Sequence, residues 1–193
     1  MPPPDYPRLP TGYRFGLERL RTVQLSLTNA APPDTCATRD IDVAVRAAAA
    51  LVLAAHAGED RFLLGVQGGV VEGELDLAAP LDRLLGQVRE VKQGNSEDGP
   101  RFTVYGRNGA GEPAPTPSTP LHLDYALVAD GKRVSLALTY DTATLPQQEA
   151  QWLIEHIETG LDAILQATPD LALASIDLAP PYEASTLARY SSC

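Results

Sequence analysis

Three histidines are the first place to look for chemistry in this chain: His56, His122 and His156. They lie far apart and form no HxH, HxxxH or HExxH pattern, so no metal site is expected. His122 stands two residues before Asp124, so in a strand the two side chains share a face. Ser135 and Thr139 fall on the same side of the following segment if the two segments pair as a hairpin. A histidine oriented by an aspartate beside a hydroxyl is the arrangement of acyl transfer: the hydroxyl attacks, the imidazole takes its proton, and the carboxylate holds the ring. The other side of these strands carries Leu123, Tyr125, Leu136 and Leu138, which puts His122 and Asp124 on the face expected to be solvated. Exposed cross-strand polar pairs are routine there. His122 and Asp124 are therefore the catalytic candidates, and the expectation is that neither is catalytic.

The remaining candidates have simpler readings. His56 lies at a helix C-terminus, where an imidazolium is favourable, and His156 lies at the edge of a helix stripe, before Ile157. Cys36 precedes a helix start, where a thiolate can be activated, but no base lies near it in sequence. The terminal Ser191-Ser192-Cys193 is not a lipidation signal. GVQGG at Gly65–Gly69 and GRNGAG at Gly106–Gly111 lack the lysine and hydroxyl of a phosphate loop and read as turns, so no cofactor-binding residue is expected. Glu72, Glu74 and Asp76 alternate and read as a solvated strand face, with a carboxylate row as the alternative.

Composition bounds the partners. With 193 residues, 44% hydrophobic and 21% charged, the chain suits one folded domain. A formal net charge of -10 argues against nucleic acid or an anionic membrane as partner, since both repel an anion. No apolar run approaches the ~20 residues of a membrane helix. The start, Met1 to Pro7, has neither a basic nor an apolar signal region, and two cysteines make no disulfide framework, so a cytoplasmic protein is expected.

The elements that must position these residues follow from periodicity. Residues 1–21 read as an extended, proline-rich arm, 22–178 as a folded lobe, and 179–193 as a tail or linker toward a following domain. Thr22 to Thr28 alternates as a strand. Thr38 is the expected cap of a helix that runs to about His56 and stops at Gly58; its Ala/Val/Leu middle predicts burial on more than one side. Arg61–Gln67 reads as an interior strand and Val70–Leu77 as a bent one. Pro80–Gln93 predicts a helix with Leu81, Leu84, Leu85, Val88 and Val91 inward. Arg101–Arg107 is a strand, and Asn108–Pro120 a Gly/Pro-rich loop. Leu121–Tyr140 is a hairpin turning at Asp130-Gly131. Thr144 is the expected cap of a third helix striped by Leu153, Ile157, Leu161, Ile164 and Leu165; Leu171–Leu178 reads as extended. The expected fold is an α/β (α+β) sandwich, a mixed sheet with about three helices packed on it.

The order of these segments carries a resemblance. Asp5-Tyr6-Pro7-Arg8 looks like the "PTDYPRP" linker before the C-terminal lobe of condensation domains in nonribosomal peptide synthetases. AAAALVLAAHAGEDRFLLGV (Ala47–Val66) is similar to that lobe's helix-turn-strand. Pro80–Val91 resembles the helix carrying "PFSSLLKQV", and Arg101–Asn108 resembles "LFQVRFxxN". Tyr125–Leu145 resembles the hairpin before the final helix, and Gln147–Leu178 that helix and its exit. The likeness spans about residues 5 to 180, with the stretch between Gln93 and Arg101 shortened.

The resemblance implies half of a chloramphenicol-acetyltransferase-like condensation domain. The family's catalytic pair of adjacent histidines belongs to the other half, and no adjacent histidines occur in this sequence. A half domain starting at a methionine looks like the N-terminus of fungal L-2-aminoadipate reductases of lysine biosynthesis and related peptide-synthetase-like reductases. It would be a non-catalytic docking domain there, packed on the adjacent adenylation domain through Leu171–Tyr190 and the third helix. The parent would use ATP, Mg, phosphopantetheine and NADPH to reduce an acid to an aldehyde through a carrier-bound thioester; this chain itself would hold no cofactor. Two other readings stay open: a small acyltransferase with His122 as base, which needs His122 in a cleft, and a self-associating module that forms a homodimer. An enclosed cavity joining an imidazole, a carboxylate and a hydroxyl would count against the docking reading.

Overall fold

A computed structural model describes residues 6–26, 40–93, 99–107, 116–127 and 134–180. Cys36, Thr38, Cys193, the Asp130-Gly131 turn, most of the Gly/Pro-rich loop and the tail from residue 181 lie outside the described residues.

The sheet has six strands: β1 (Leu20–Ser26), β2 (Arg61–Val66), β3 (Gly69–Glu74), β4 (Phe102–Arg107), β5 (Leu121–Leu127) and β6 (Val134–Asp141). Their spatial order is β1-β6-β5-β4-β2-β3. The β2–β4 and β4–β5 pairs are parallel; β1–β6, β5–β6 and β2–β3 are antiparallel. The fold is the mixed sheet with three helices expected from the sequence.

Helices α1 (Ile41–Ala57), α2 (Leu81–Arg89) and α3 (Gln147–Gln166) form the second layer. Leu121, Leu123, Leu136, Leu138 and Tyr140 from the sheet are buried with the alanine-rich α1 and the Leu153/Ile157/Leu161 stripe of α3. Alanine at 47–50 lets helix and sheet approach closely, and all four are fully buried. Gly160 of α3 sits over Ala48 and Val52 of α1, where a Cβ would touch both at 3.8 Å.

Several element ends differ from expectation for identifiable reasons. β1 starts at Leu20, because its register against β6 extends to the Leu20–Asp141 pair. α1 is capped by Asp40, whose carboxylate accepts from the Asp42 N–H at 3.0 Å, so the cap is not Thr38. Its other end behaves as expected: Gly58 is left-handed, φ 67°, and its N–H returns to the last turn. α2 stops at Arg89 because Lys92 bridges Val70 through two backbone hydrogen bonds, 2.8 and 3.0 Å; Val91 is left 38% exposed. α3 begins after Pro146, and Thr144 donates to the Asp141 carbonyl oxygen in the preceding turn instead of capping. Leu171–Leu178 is not simply extended. It contains a 3-10 turn, Leu173–Ser175, and is tied to residues 77–82 by Leu173 N–H to Ala79 O and Ala174 N–H to Leu77 O.

Candidate functional site

The β4–β5 register puts Thr103 directly beside His122, and the β5–β6 register puts Thr139 opposite it. All three belong to the sheet face turned away from the helices, because Leu121 and Leu123, its neighbours in β5, are core residues. The expectation of a solvated His122 and Asp124 is overturned: they are 5% and 4% exposed. Thr119 is also buried, and it stands in the segment leading into β5.

The polar groups on this face form a chain. The Thr103 hydroxyl meets His122 Nδ1 at 2.5 Å and Thr119 Oγ1 at 3.0 Å. Thr119 donates to the Leu121 carbonyl oxygen at 2.6 Å. On the other side of the ring, His122 Nε2 lies 3.4 Å from Asp124 Oδ1. Both of those atoms are buried, and neither makes a hydrogen bond, so the 3.4 Å approach is a contact of position only. Ser135, the other hydroxyl expected near this pair, stands opposite Ala126, and Asp124 faces Ala137 across the pair. Thr103, which no sequence pattern singled out, takes the hydroxyl position, from a strand 19 residues earlier.

Thr103 and His122 line a cleft of about 530 Å³, with Gly65, Gln67, Pro100 and Ser118 among its walls. The strands β2 and β4 pair only at Gly65–Thr103 and Val66–Val104, and the cleft occupies that short junction. Gly65 is required by this packing: a Cβ there would lie 2.6 Å from Thr103 Cγ2 and 2.9 Å from Pro100 Cγ. Thr103 and His122 therefore border the cleft, while Asp124 is not among its walls and its Oδ1, like His122 Nε2, is buried. An imidazole, a carboxylate and a hydroxyl do come together here; His122 lies in a cleft, as the acyltransferase reading requires, but the cleft is open and not the enclosed cavity that would count against docking.

A second cavity, about 330 Å³, lies at the start of α1 and is lined by Asp42, Arg46, Arg107 and Tyr125. Tyr125 donates to Asp42 Oδ1, and Arg46 lies 3.8 Å from the same carboxylate. Burial raises the Asp42 carboxyl above its ordinary range, with Arg46 opposing. Asp42, Arg46 and Tyr125 are engaged with one another.

The other candidates scatter. His56 and His156 meet across α1 and α3, with Nε2 to Nδ1 at 2.9 Å, a contact invisible in their sequence spacing. Glu72 pairs with Lys92 at 2.9 Å, and Asp76, beyond the end of β3 at Glu74, pairs with Arg83 at 3.6 Å. Gly68, φ 90°, makes the β2–β3 turn within GVQGG. Among the described residues no three His, Cys, Asp or Glu side chains cluster to hold a metal, and no helix is long and apolar enough to cross a membrane.

No family model matches the sequence, and no curated protein does. Solved structures do match in fold. A chain in the complex of the X-domain and OxyB from teicoplanin biosynthesis aligns with TM-score 0.65 at 15% identity, covering 83% of this chain and 48% of its own. The starter condensation domain of rhizomide synthetase aligns with TM-score 0.61 at 14% identity, covering 83% and 48%. A four-domain nonribosomal peptide synthetase bound to AMP and glycine aligns with TM-score 0.60 at 11% identity, covering 85% of this chain and 18% of its own. This chain has the fold of one half of a condensation domain, and it spans about half the length of the first two structures it matches.

Proposed function

We propose that this lobe is a docking domain of a larger nonribosomal-peptide-synthetase-like enzyme and takes no part in amide synthesis. One observation carries the reading: the chain folds as one half of a two-lobed architecture, covering 48% of the starter condensation domain it matches. The resemblance places the family's paired histidines in the other half. The finer reading is an N-terminal lobe of an adenylating carboxylic acid reductase, on the pattern of the aminoadipate reductases. ATP, Mg, phosphopantetheine and NADPH would then belong to other domains of a cytoplasmic parent.

The partner in this reading is the adjacent adenylation domain. A groove of about 470 Å³ runs beside the end of the described chain, lined by Leu51, Leu75, Leu77, Leu173, Ile176 and Leu178. Leu77 is 58% exposed in it. Exposed leucine in a groove is the kind of surface an inter-domain contact covers. Hydrogen exchange of the full-length parent, compared with this chain alone, tests the contact. Extra protection in 171–180 and α3 is expected. Equal exchange throughout both regions contradicts the reading, and concentration-dependent protection of the isolated chain favours the homodimer instead.

A further inference from the structure

We propose that Thr103 is an acyl-accepting nucleophile, with His122 as its general base and Asp124 as the residue that positions the ring. This goes beyond the docking reading and does not rest on it; it replaces the expectation that no residue of the lobe is catalytic.

Three observations support it. The first is order in depth. Thr103 and His122 line the cleft, while His122 Nε2 and Asp124 Oδ1 are sealed behind them. A nucleophile, base and orienter need that sequence, with only the first two near the reacting carbon. The second is reach. The Thr103 hydroxyl lies 2.5 Å from His122 Nδ1, within proton-transfer distance, and His122 Nε2, on the far side of the ring, lies 3.4 Å from Asp124 Oδ1. The third is room. A cleft of about 530 Å³ is lined by both Thr103 and His122, and the glycine at position 65 leaves room that a Cβ would take from the Thr103 methyl.

The chemistry is transfer from an ester or thioester. Thr103 Oγ1 bonds to the acyl carbon as its proton moves to His122 Nδ1. The bond from that carbon to the leaving oxygen or sulfur breaks, and Nδ1 returns the proton to the leaving group. The products are an acyl ester of Thr103 and a free alcohol or thiol. Water repeats the steps on the ester, releasing the acid and restoring the hydroxyl. No oxidant or reductant enters.

p-Nitrophenyl acetate serves as the probe, applied to the intact chain, with peptide mapping of the product. Wild type is expected to carry acetyl on Thr103 and to release a burst of nitrophenolate. Thr103→Val should lose that adduct and Thr103→Ser keep it. His122→Gln should slow acylation about 10²- to 10⁴-fold. Asp124→Asn should lower kcat while leaving KM unchanged, a split that a merely structural role does not produce. Absence of acetyl on Thr103 in wild type overturns the proposal without any variant. So does equal acylation of Thr103 in wild type and His122→Gln. Either failure leaves the docking reading untouched, because that is measured by exchange in the parent.

Discussion

At the scale of single residues, the buried Thr103–His122–Asp124 chain is the feature the sequence hid. His122 and Asp124 stood out by their two-residue spacing, but burial was not legible from it. The alternation of β5 and β6 correctly separated the two faces; what covers the polar one comes from elsewhere, since Pro100 and the 116–119 stretch wall the cleft beside it. Thr103 was unremarkable until the parallel register set it against His122. Local patterns report the face of a strand, whereas a parallel neighbour is chosen by long-range topology. Two stability predictions follow from this packing. Thr103→Val strips the partner from a buried imidazole nitrogen and should cost about 1–3 kcal/mol in urea unfolding, with Thr103→Ser near wild type. Gly65→Ala forces a methyl against Thr103 and Pro100 and should cost about 1–3 kcal/mol by the same measurement.

At the scale of elements, the N-terminal strand is latched by one carboxylate. Asp141, fully buried at the end of β6, accepts from Arg19 at 3.0 Å, from the Tyr13 hydroxyl at 2.8 Å and from the Ala143 N–H at 2.8 Å. Burial alone would raise this carboxyl; the Arg19, Ala143 and Tyr13 hydrogen bonds together outweigh it and hold the group below its usual range. A lowered value in the fold means stability present above the ordinary aspartate range and lost as pH falls through the lower one. Unfolding of wild type should therefore become easier as pH falls through and below the ordinary aspartate range, and Asp141→Asn should flatten that part of the profile. Asp141→Ala removes a buried acceptor of three hydrogen bonds and should cost about 1–3 kcal/mol, with β1 amides exchanging faster. Tyr13 reports the other end of the scale. Burial, then its bond to Asp141, pushes the phenol up to about 12, so its share of the latch persists below about pH 10 and fades as pH rises to 12. The same latch explains why β1 begins two residues before the alternating pattern: Leu20 and Arg21 are paired through Asp141 and Tyr140, not by apolar alternation. Elements with strong internal signals, such as the Gly58 stop of α1, were read correctly; ends set by tertiary bonds, such as the Lys92–Val70 bridge that truncates α2, were not.

At the scale of the whole molecule, the sequence order of strands and helices was enough to expect a mixed sheet with one helix layer, and the solved structures agree at 11–15% identity. A fold shared at that distance fixes architecture and leaves chemistry to the site. Two separable features of the molecule bear on function: an apolar groove beside the end of the described half-domain, and a hydroxyl-imidazole-carboxylate chain in its polar face. The central claim is that the lobe supports neighbouring domains of a larger enzyme. Its most direct test removes residues 1–180 from the parent polypeptide and follows thermal unfolding together with adenylation and reduction rates. A docking lobe predicts a lower unfolding temperature for the neighbouring domain and slower turnover once it is removed; an unchanged melting profile with unchanged rates would contradict a docking role.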